Sequence, residues 1–275
     1  MNVEGSDEHR EQLDRLVKAV LKSPKYRNVC EDLIKNIGMR ELSKQKNFKQ
    51  AVKSTKNKIH QVGGAYFIKR PDYSIWLEEL RIIQKARRED LFWEKCTEIM
   101  SYHHSTKERL KVLDQFYSGI FSILPPISSI MDIACGFNPL SIPRMPVSDG
   151  VRYYAYEVYH DLTDFLNGFM KLIGVEGYAE ARDVIQHPPA IHTDLALILY
   201  SMPCLEQIDK SASEKILESI DADFVVVSYP VRTMGGRVKD MWGFYQAQFN
   251  RLIDGKDWDT ERLDFSTEMV FAIWK

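Results

Sequence analysis

The stretch MDIACGFNPL, from Met131 to Leu140, carries the strongest structural signal in the chain. An apolar run of the kind buried on both faces of a parallel sheet ends there in a turn of small residues. Gly136 in that turn lets the backbone approach a ligand, because glycine has no Cβ in the way. Ligands of open α/β sheets bind outside the carboxyl ends of the strands, where this turn lies. The turn is therefore a candidate cofactor contact, with an ordinary tight turn as the alternative.

An acidic residue closes the next predicted strand. Glu157 follows the run Tyr153–Tyr156, and an acid at a second strand tip can accept both hydroxyls of a ribose. Asp183, at the tip of the third predicted strand, is the candidate for an adenine amino group, with a surface-loop aspartate as the alternative. The absence of a G-x-G-x-x-G motif disfavours a dinucleotide with its pyrophosphate. These features predict a nucleoside cofactor without phosphates, S-adenosylmethionine.

The chain after residue 128 alternates between strand and helix patterns. Helical segments are predicted at Asp161–Ile173 and Ser211–Ile220, and a hairpin at Trp258–Phe265 with Glu268–Trp274. This order is typical of an α/β fold with a doubly wound sheet and a terminal antiparallel hairpin. The five predicted strands before the hairpin are Ser129–Cys135, Val151–Val158, Gly177–Val184, Leu195–Tyr200 and Phe224–Pro230.

The first hundred residues have helical periodicity instead. An apolar stripe runs from Leu13 to Leu21, and a second amphipathic segment covers about Ser74–Met100. Ser105 and Glu108 have the spacing of a capping box that opens a further helix. We therefore predict a helical domain over residues 1–104, followed by the α/β domain over residues 105–275.

Charge is distributed unevenly between these halves. Residues 1–100 hold 21 Lys and Arg against 15 Asp and Glu, a net of +6, and the remainder holds 16 against 24, a net of −8. Residues 42–71 contain eight basic residues and no acidic residue, which indicates either a solvated face or a surface that contacts phosphates. The basic residues are Lys44, Lys46, Lys49, Lys53, Lys56, Lys58, Lys69 and Arg70.

Other sites are disfavoured by composition. The four cysteines lie far apart with no C-x-x-C pair, so neither a zinc site nor a disulfide framework is expected. The first twenty residues carry eight charges, and no uncharged run approaches the length of a membrane span. We predict a cytoplasmic protein without a metal or a membrane partner.

Four stretches stand out in this order along the chain: STKNKIHQVGGAYF (Ser54–Phe67), SYHHSTKERLKVLDQFY (Ser101–Tyr117), DIACGFNPL (Asp132–Leu140) and SYPVRTMGGRVKDMWGFYQAQF (Ser228–Phe249). Together they resemble the 16S ribosomal RNA guanine-N7 methyltransferases that confer aminoglycoside resistance. The resemblance implies a Rossmann-like class I methyltransferase domain that uses S-adenosylmethionine on one guanine of the decoding centre. It also implies a helical N-terminal domain that docks on the 30S subunit.

The resemblance assigns roles to individual positions. Arg109 matches the arginine that holds the cofactor carboxylate, a task that suits a bidentate guanidinium. The cofactor set is His103, Thr106, Arg109, Asp132, Ala134, Gly136, Glu157, Asp183, Ser201, Met202 and Glu206. The RNA-facing set is Lys53, Lys56, Lys58, His60, Arg232, Arg237, Lys239, Met241 and Tyr245, with packing under the loop as the alternative for the last two.

No general base is assigned, because N7 of guanine carries a free lone pair. Methyl transfer to it depends mainly on positioning, and the guanine must be flipped out of its helix to be reached. The chain departs from the family pattern at Ser201, Arg232, Asp240, Asn250 and Ser266-Thr267. Two alternatives stay open: a methyltransferase of this fold that acts on another base or RNA, and a non-catalytic RNA-binding protein.

Overall fold

A seven-stranded mixed sheet in the order β3-β2-β1-β4-β5-β7-β6 forms the centre of the protein. The computed structural model describes residues 3–68, 71–231 and 241–275. The first five strands are parallel, and β7 runs antiparallel between β5 and β6. The predicted doubly wound sheet and terminal hairpin are confirmed. The strands are β1 (Ser129–Ile133), β2 (Arg152–Glu157), β3 (Glu176–Ala181), β4 (Thr193–Leu199), β5 (Ala222–Pro230), β6 (Asp259–Asp264) and β7 (Glu268–Trp274).

The strand order reverses between β1 and β4, because β2 and β3 lie on one side of β1 and β5 lies beyond β4. Loops that leave the carboxyl ends of β1 and β4 therefore part in opposite directions and leave a crevice between them. This switch point fixes where a ligand can enter.

Several helices precede the sheet in the chain, and helices cover both faces of the sheet. Among the described residues, no helix has the length and hydrophobicity of a membrane span. A π-helical turn at His60–Gly64 extends α3, and a 3-10 helix at Asn138–Arg144 follows β1. The α-helices are α1 (Val3–Leu21), α2 (Glu31–Lys44), α3 (Phe48–Ile59), α4 (Tyr73–Lys85), α5 (Glu89–Met100), α6 (His104–Arg109), α7 (Leu113–Ser122), α8 (His160–Ile173), α9 (Met202–Ile208), α10 (Ala212–Ser219) and α11 (Met241–Ile253).

Alternation along the central strands divides the core into two apolar clusters. On β4, Leu195 and Leu197 join one cluster, and Ala196 and Ile198 join the other. Successive side chains of a strand point to opposite faces, so the two clusters mark the two sides of the sheet. The first includes residues of α1, α2, α4, α5, α7 and α8, and the second includes residues of α9, α10 and α11.

The N-terminal helices share the first cluster with the sheet. Leu33 and Ile34 of α2 are fully buried in it, and the Cys30 amide donates to the Val158 carbonyl at 2.8 Å. Asn36 of α2 donates to the Asp183 carboxylate at 2.7 Å. The helices thus pack directly against the carboxyl ends of β2 and β3, and a domain division at residue 104 stays a prediction.

Three local expectations are wrong. Residues 74–100 form two helices, because the chain turns at Arg87 in a left-handed conformation (φ 54°). The capping box does not form: Ser105 bonds to His103, and a new helix begins at Leu113 after the short α6. Strand β3 ends at Ala181, so Asp183 lies in the loop beyond it.

We predict that Gly177→Ala destabilises the sheet. Gly177 in β3 has φ 126°, and a Cβ there would lie 1.9 Å from the Tyr153 carbonyl oxygen of β2. Strain together with this overlap should lower the free energy of unfolding by at least about 2 kcal/mol, measured by chemical denaturation. Gly150→Ala is the control, because Gly150 has a positive φ but open space around it. Equal losses in both variants would show that the overlap is unimportant.

Candidate active site

A cleft of about 610 Å³ opens at the switch point, beside the carboxyl ends of β1, β2 and β4. Ala134, Glu157 and Ser201 contribute the sheet side of its wall. Val62, Gly63 and Tyr66, from the π-helical turn and the segment after it, close it from the helical side. Residues far apart in sequence therefore meet around one concave surface.

The turns after β1 and β4 adopt rare backbone conformations. Ala134 and Tyr200 have positive φ angles of 52° and 63°, and Gly136 has φ 53°. A Cβ on Gly136 would come within 3.2 Å of the His103 ring, so both conformation and space favour glycine at this position. Non-glycine residues in this region cost free energy and cluster at functional sites.

Glu157 links the glycine turn to the end of β2. Its half-buried carboxylate accepts hydrogen bonds from the amides of Val158, Tyr159 and Gly136. Burial raises the pKa of Glu157 to about 7, although the three amides favour the charged form. The acid predicted to bind a ribose therefore lies in the cleft, held in a fixed orientation.

His103 is an uncharged wall of this cleft. It is buried against Tyr66, Phe67 and Phe137, and its Nδ1 lies 2.9 Å from the Ser105 hydroxyl. Burial lowers the pKa of His103 to about 3. The side chain is consequently neutral at physiological pH, and it contributes shape and aromatic surface.

Arg109 is buried in an ion pair that the sequence did not predict. It donates to both carboxylate oxygens of Glu268 on β7, at 2.8 and 3.0 Å, and to Asn138 Oδ1 at 3.0 Å. A guanidinium carries five N–H groups, so two remain for a further acceptor. In the sequence alone, Asn138 is marked only by its place in the MDIACGFNPL stretch, and Glu268 only by its place at the start of the second hairpin strand.

Asn138 connects this ion pair to Asp132. Its amide nitrogen donates to Asp132 Oδ2 at 2.9 Å, and the Tyr153 hydroxyl donates to the same oxygen at 2.6 Å. Burial raises the pKa of Asp132 to about 6. Its other oxygen, Oδ1, is buried without a hydrogen bond to any described residue. The network therefore leaves one acceptor beside the glycine turn.

The remaining predicted cofactor residues lie away from the wall of the cleft. Thr106 donates to the Met100 carbonyl at 2.6 Å, and Met202 is fully buried in the second cluster. Asp183 is held by Asn36, and Glu206 accepts from Gln248. Of the eleven residues in that set, the cleft wall includes His103, Ala134, Glu157 and Ser201.

A second cleft of about 710 Å³ adjoins the first. Tyr66, Ser105 and Tyr200 line both, so the two spaces are contiguous. Met241 and Tyr245 of α11 line the second, and Tyr245 also stacks on Tyr229 at 4.7 Å. Packing of both residues is therefore confirmed, and contact with the target nucleotide stays a prediction.

The basic helix α3 lies beside the second cleft. Its buried face is Ala51, Thr55 and Ile59, while Lys53 is exposed. Lys58 donates to the carbonyl of Gln207, a residue of the second cleft, at 3.1 Å. Lys56 and His60 are half-buried. Arg232, Arg237 and Lys239 of the predicted target loop lie outside the described residues, as do Lys69, Arg70 and Asp240.

Comparison with known proteins gives one consistent result. The ribosomal RNA methyltransferase (FmrO) family model matches residues 22–273. A 16S rRNA (guanine(1405)-N(7))-methyltransferase of Serratia marcescens is 31% identical over 94% of this chain and 96% of its own. The enzyme of that name from Micromonospora rosea is 28% identical over 96% and 97%.

Solved structures agree with the sequence relatives. The 16S rRNA methyltransferase RmtF, solved with S-adenosyl-L-homocysteine, superposes with a TM-score of 0.82 at 25% identity, covering 96% of this chain and 98% of that one. The 16S rRNA methylase RmtB superposes with a TM-score of 0.78 at 28% identity and the same coverage.

The raised pKa of Glu157 predicts a pH-dependent stability. Since the folded state binds this proton more tightly than the unfolded state, the stabilisation is complete below the ordinary glutamate pKa and is lost as the pH rises through about 7. The melting temperature of Glu157→Gln relative to that of the wild type should therefore increase as the pH is raised from about 5 to about 8. Differential scanning calorimetry measures this difference. Glu94→Gln, at an exposed site, is the control, and an equal response of both variants would contradict the prediction.

Proposed function

Because the chain belongs to the ribosomal RNA methyltransferase (FmrO) family, we propose that it methylates N7 of one guanine in the decoding centre of 16S rRNA. The chain is an S-adenosylmethionine-dependent rRNA methyltransferase. The observation that carries the proposal is the pair of contiguous clefts, one at the switch point and one beside the basic helix. The guanine-N7 specificity of the relatives supports the choice of target atom.

The first cleft fits S-adenosylmethionine. Glu157 is oriented to accept ribose hydroxyls, and the Gly136 turn leaves room that a Cβ would occupy. Ser201 Oγ, which lines the cleft, is buried without a hydrogen bond to any described residue. Arg109 retains two N–H groups and Asp132 Oδ1 is an unused acceptor, but both side chains are fully buried behind the wall of the cleft.

The cofactor supplies a methyl group activated by a sulfonium. The residues of this chain contribute position and charge: Glu157 orients the nucleoside, while neutral His103 and Tyr66 exclude water from one side. No residue has to remove a proton, because N7 attacks with a lone pair that is already free. A flipped guanine would enter through the second cleft, which shares Tyr200 with the first.

The basic surface supports the 30S subunit as the docking partner. Lys53, Lys56 and Lys58 lie on a helix whose last turn reaches the second cleft through the bond from Lys58 to Gln207. Phosphate contacts there would offset the few kcal/mol needed to flip a base. A ribosomal substrate places the enzyme in the cytoplasm, and its modification is expected to give aminoglycoside resistance.

Methylation mapping on 30S subunits tests the proposal. Incubation with the enzyme and S-adenosylmethionine should yield N7-methylguanine at one position of 16S rRNA, identified by mass spectrometry of nuclease fragments. Glu157→Ala is the inactive reference, because losing hydrogen bonds from the ribose should weaken cofactor binding by about 1.5–3 kcal/mol. Methylation of another base, or of naked RNA only, would overturn the proposed target.

We predict that the triple variant Lys53→Glu, Lys56→Glu and Lys58→Glu weakens 30S binding. Fewer phosphates are neutralised, so the slope of log K against log salt should flatten by about 2 or more. Fluorescence anisotropy at several salt concentrations measures both quantities, and cofactor affinity should not change.

The matched control reverses three exposed lysines elsewhere, Lys22, Lys85 and Lys171. It makes the same change in net charge outside the basic helix. An equal loss of 30S affinity in both triple variants would show that net charge alone, rather than this surface, governs docking.

A further inference from the structure

One carboxylate among the described residues borders the second cleft, that of Glu108 at the end of α6. Its Oε2 lies 3.1 Å from the Tyr200 hydroxyl, which also lies 2.8 Å from the Thr267 carbonyl. A phenol has one proton to donate, and the shorter contact is to Thr267. Glu108 is half-buried, and its Oε1 has no hydrogen bond to any described residue. Among the described residues, the Glu108 carboxylate therefore keeps an unused acceptor oxygen at the border of the second cleft.

We propose that Glu108 recognises the Watson–Crick edge of the target guanine, accepting hydrogen bonds from N1–H and the N2 amino group. This inference rests on the proposed function. Guanine places these two donors side by side, and a carboxylate has two oxygens that match them. Charge-assisted pairs of this type are short, strong and directional.

The walls of the second cleft suit a planar base. Tyr66 and Tyr245 contribute aromatic surface, Met241 contributes a flexible apolar side chain, and Pro203 and Pro230 complete the apolar wall. Flipped bases are held between aromatic and apolar side chains and identified by hydrogen bonds to their Watson–Crick edge. Glu108 is placed to make the hydrogen bonds to the Watson–Crick edge.

The positions of N7 and the Watson–Crick edge on guanine suit the arrangement of the two clefts. N7 lies on the Hoogsteen edge of guanine, which adjoins the Watson–Crick edge at O6, so a base held by N1 and N2 leaves N7 open on a neighbouring side. Tyr200 extends from the turn after β4, at the first cleft, to the hydroxyl that meets Glu108. The first cleft adjoins this contact through Tyr200, so a guanine held by Glu108 has the cofactor site beside it.

Glu108 would also discriminate against adenine. Adenine presents a lone pair at N1 and lacks the N2 amino group, so it would face the carboxylate with an acceptor. Specificity of this kind comes from a repulsive contact with the wrong partner as well as an attractive one with the right partner.

The Glu108 carboxylate would also stabilise the positive charge that passes from sulfur to the purine. The N7 lone pair forms a bond to the methyl carbon, the bond from that carbon to sulfur breaks, and its electrons stay on sulfur. The positive charge passes to the purine, and no proton moves to the protein. An anion hydrogen-bonded to N1–H is stabilised most when the purine is cationic, which lowers the barrier to transfer.

Single-turnover transfer to reconstituted 30S subunits tests this role, with guanine or inosine at the target position. Inosine lacks the N2 amino group only. The wild type should transfer to inosine at least about tenfold more slowly, the value of one charge-assisted hydrogen bond. Glu108→Gln should slow transfer to guanine by about 10- to 100-fold. Glu108→Ala should bring the guanine-to-inosine rate ratio close to one.

The variants should bind cofactor and 30S subunits as the wild type does, and Glu94→Gln is the matched control. An unchanged guanine-to-inosine ratio in Glu108→Ala would overturn the inference, as would a parallel loss of cofactor affinity. A wild type that forms no N7-methylguanine on 30S subunits would instead overturn the proposed function.

Discussion

The buried ion pair between Arg109 and Glu268 is the constraint on which the site depends. It joins α6 to β7 across 159 positions of sequence, and both side chains are withdrawn from water. Removing one partner of such a pair leaves an uncompensated buried charge, at a cost of about 3–5 kcal/mol. Asn138 bonds to the same guanidinium, so the turn after β1 is positioned by it as well. The end of the helical region, the glycine turn and the last strand therefore take up one arrangement together.

The acids of the site are kept in surroundings that do not favour their charge. Burial raises the pKa of Glu157 to about 7 and that of Asp132 to about 6. Neither carboxylate has a cationic partner at hydrogen-bond distance among the described residues; amide and hydroxyl groups hold both. Such acids lower the stability of the folded protein when ionised, which is a common feature of sites built for ligands. A ligand with hydroxyl or ammonium groups would provide the hydrogen-bond donors or the positive charge that these two carboxylates lack.

Sequence patterns predicted the scaffold better than the contacts made on it. Long apolar runs such as Phe224–Pro230 identified the strands, because burial on both faces leaves a local signature. The pairing of Arg109 with Glu268 has no local signature, since it depends on a hairpin whose second strand, β7, pairs with the distant strand β5. The supposed capping box at Ser105 does not form: His103 Nδ1 lies 2.9 Å from the serine hydroxyl, and α6 begins at His104, before Ser105. Local sequence patterns showed neither contact.

The uneven charge of the chain is compatible with an RNA substrate and with a cationic methyl donor. RNA presents phosphates, and the first hundred residues carry a net of +6. Methyl transfer instead moves a positive charge from sulfur to a purine, and the remaining residues carry a net of −8. Acids that face the clefts, Glu157 and Glu108, favour a cation on either side of the transfer, whereas a lysine or a charged histidine would oppose it. Burial keeps His103 neutral, which removes that opposition from the first cleft. A site without a general base thus depends both on carboxylates near the transferred positive charge and on the exclusion of cationic side chains.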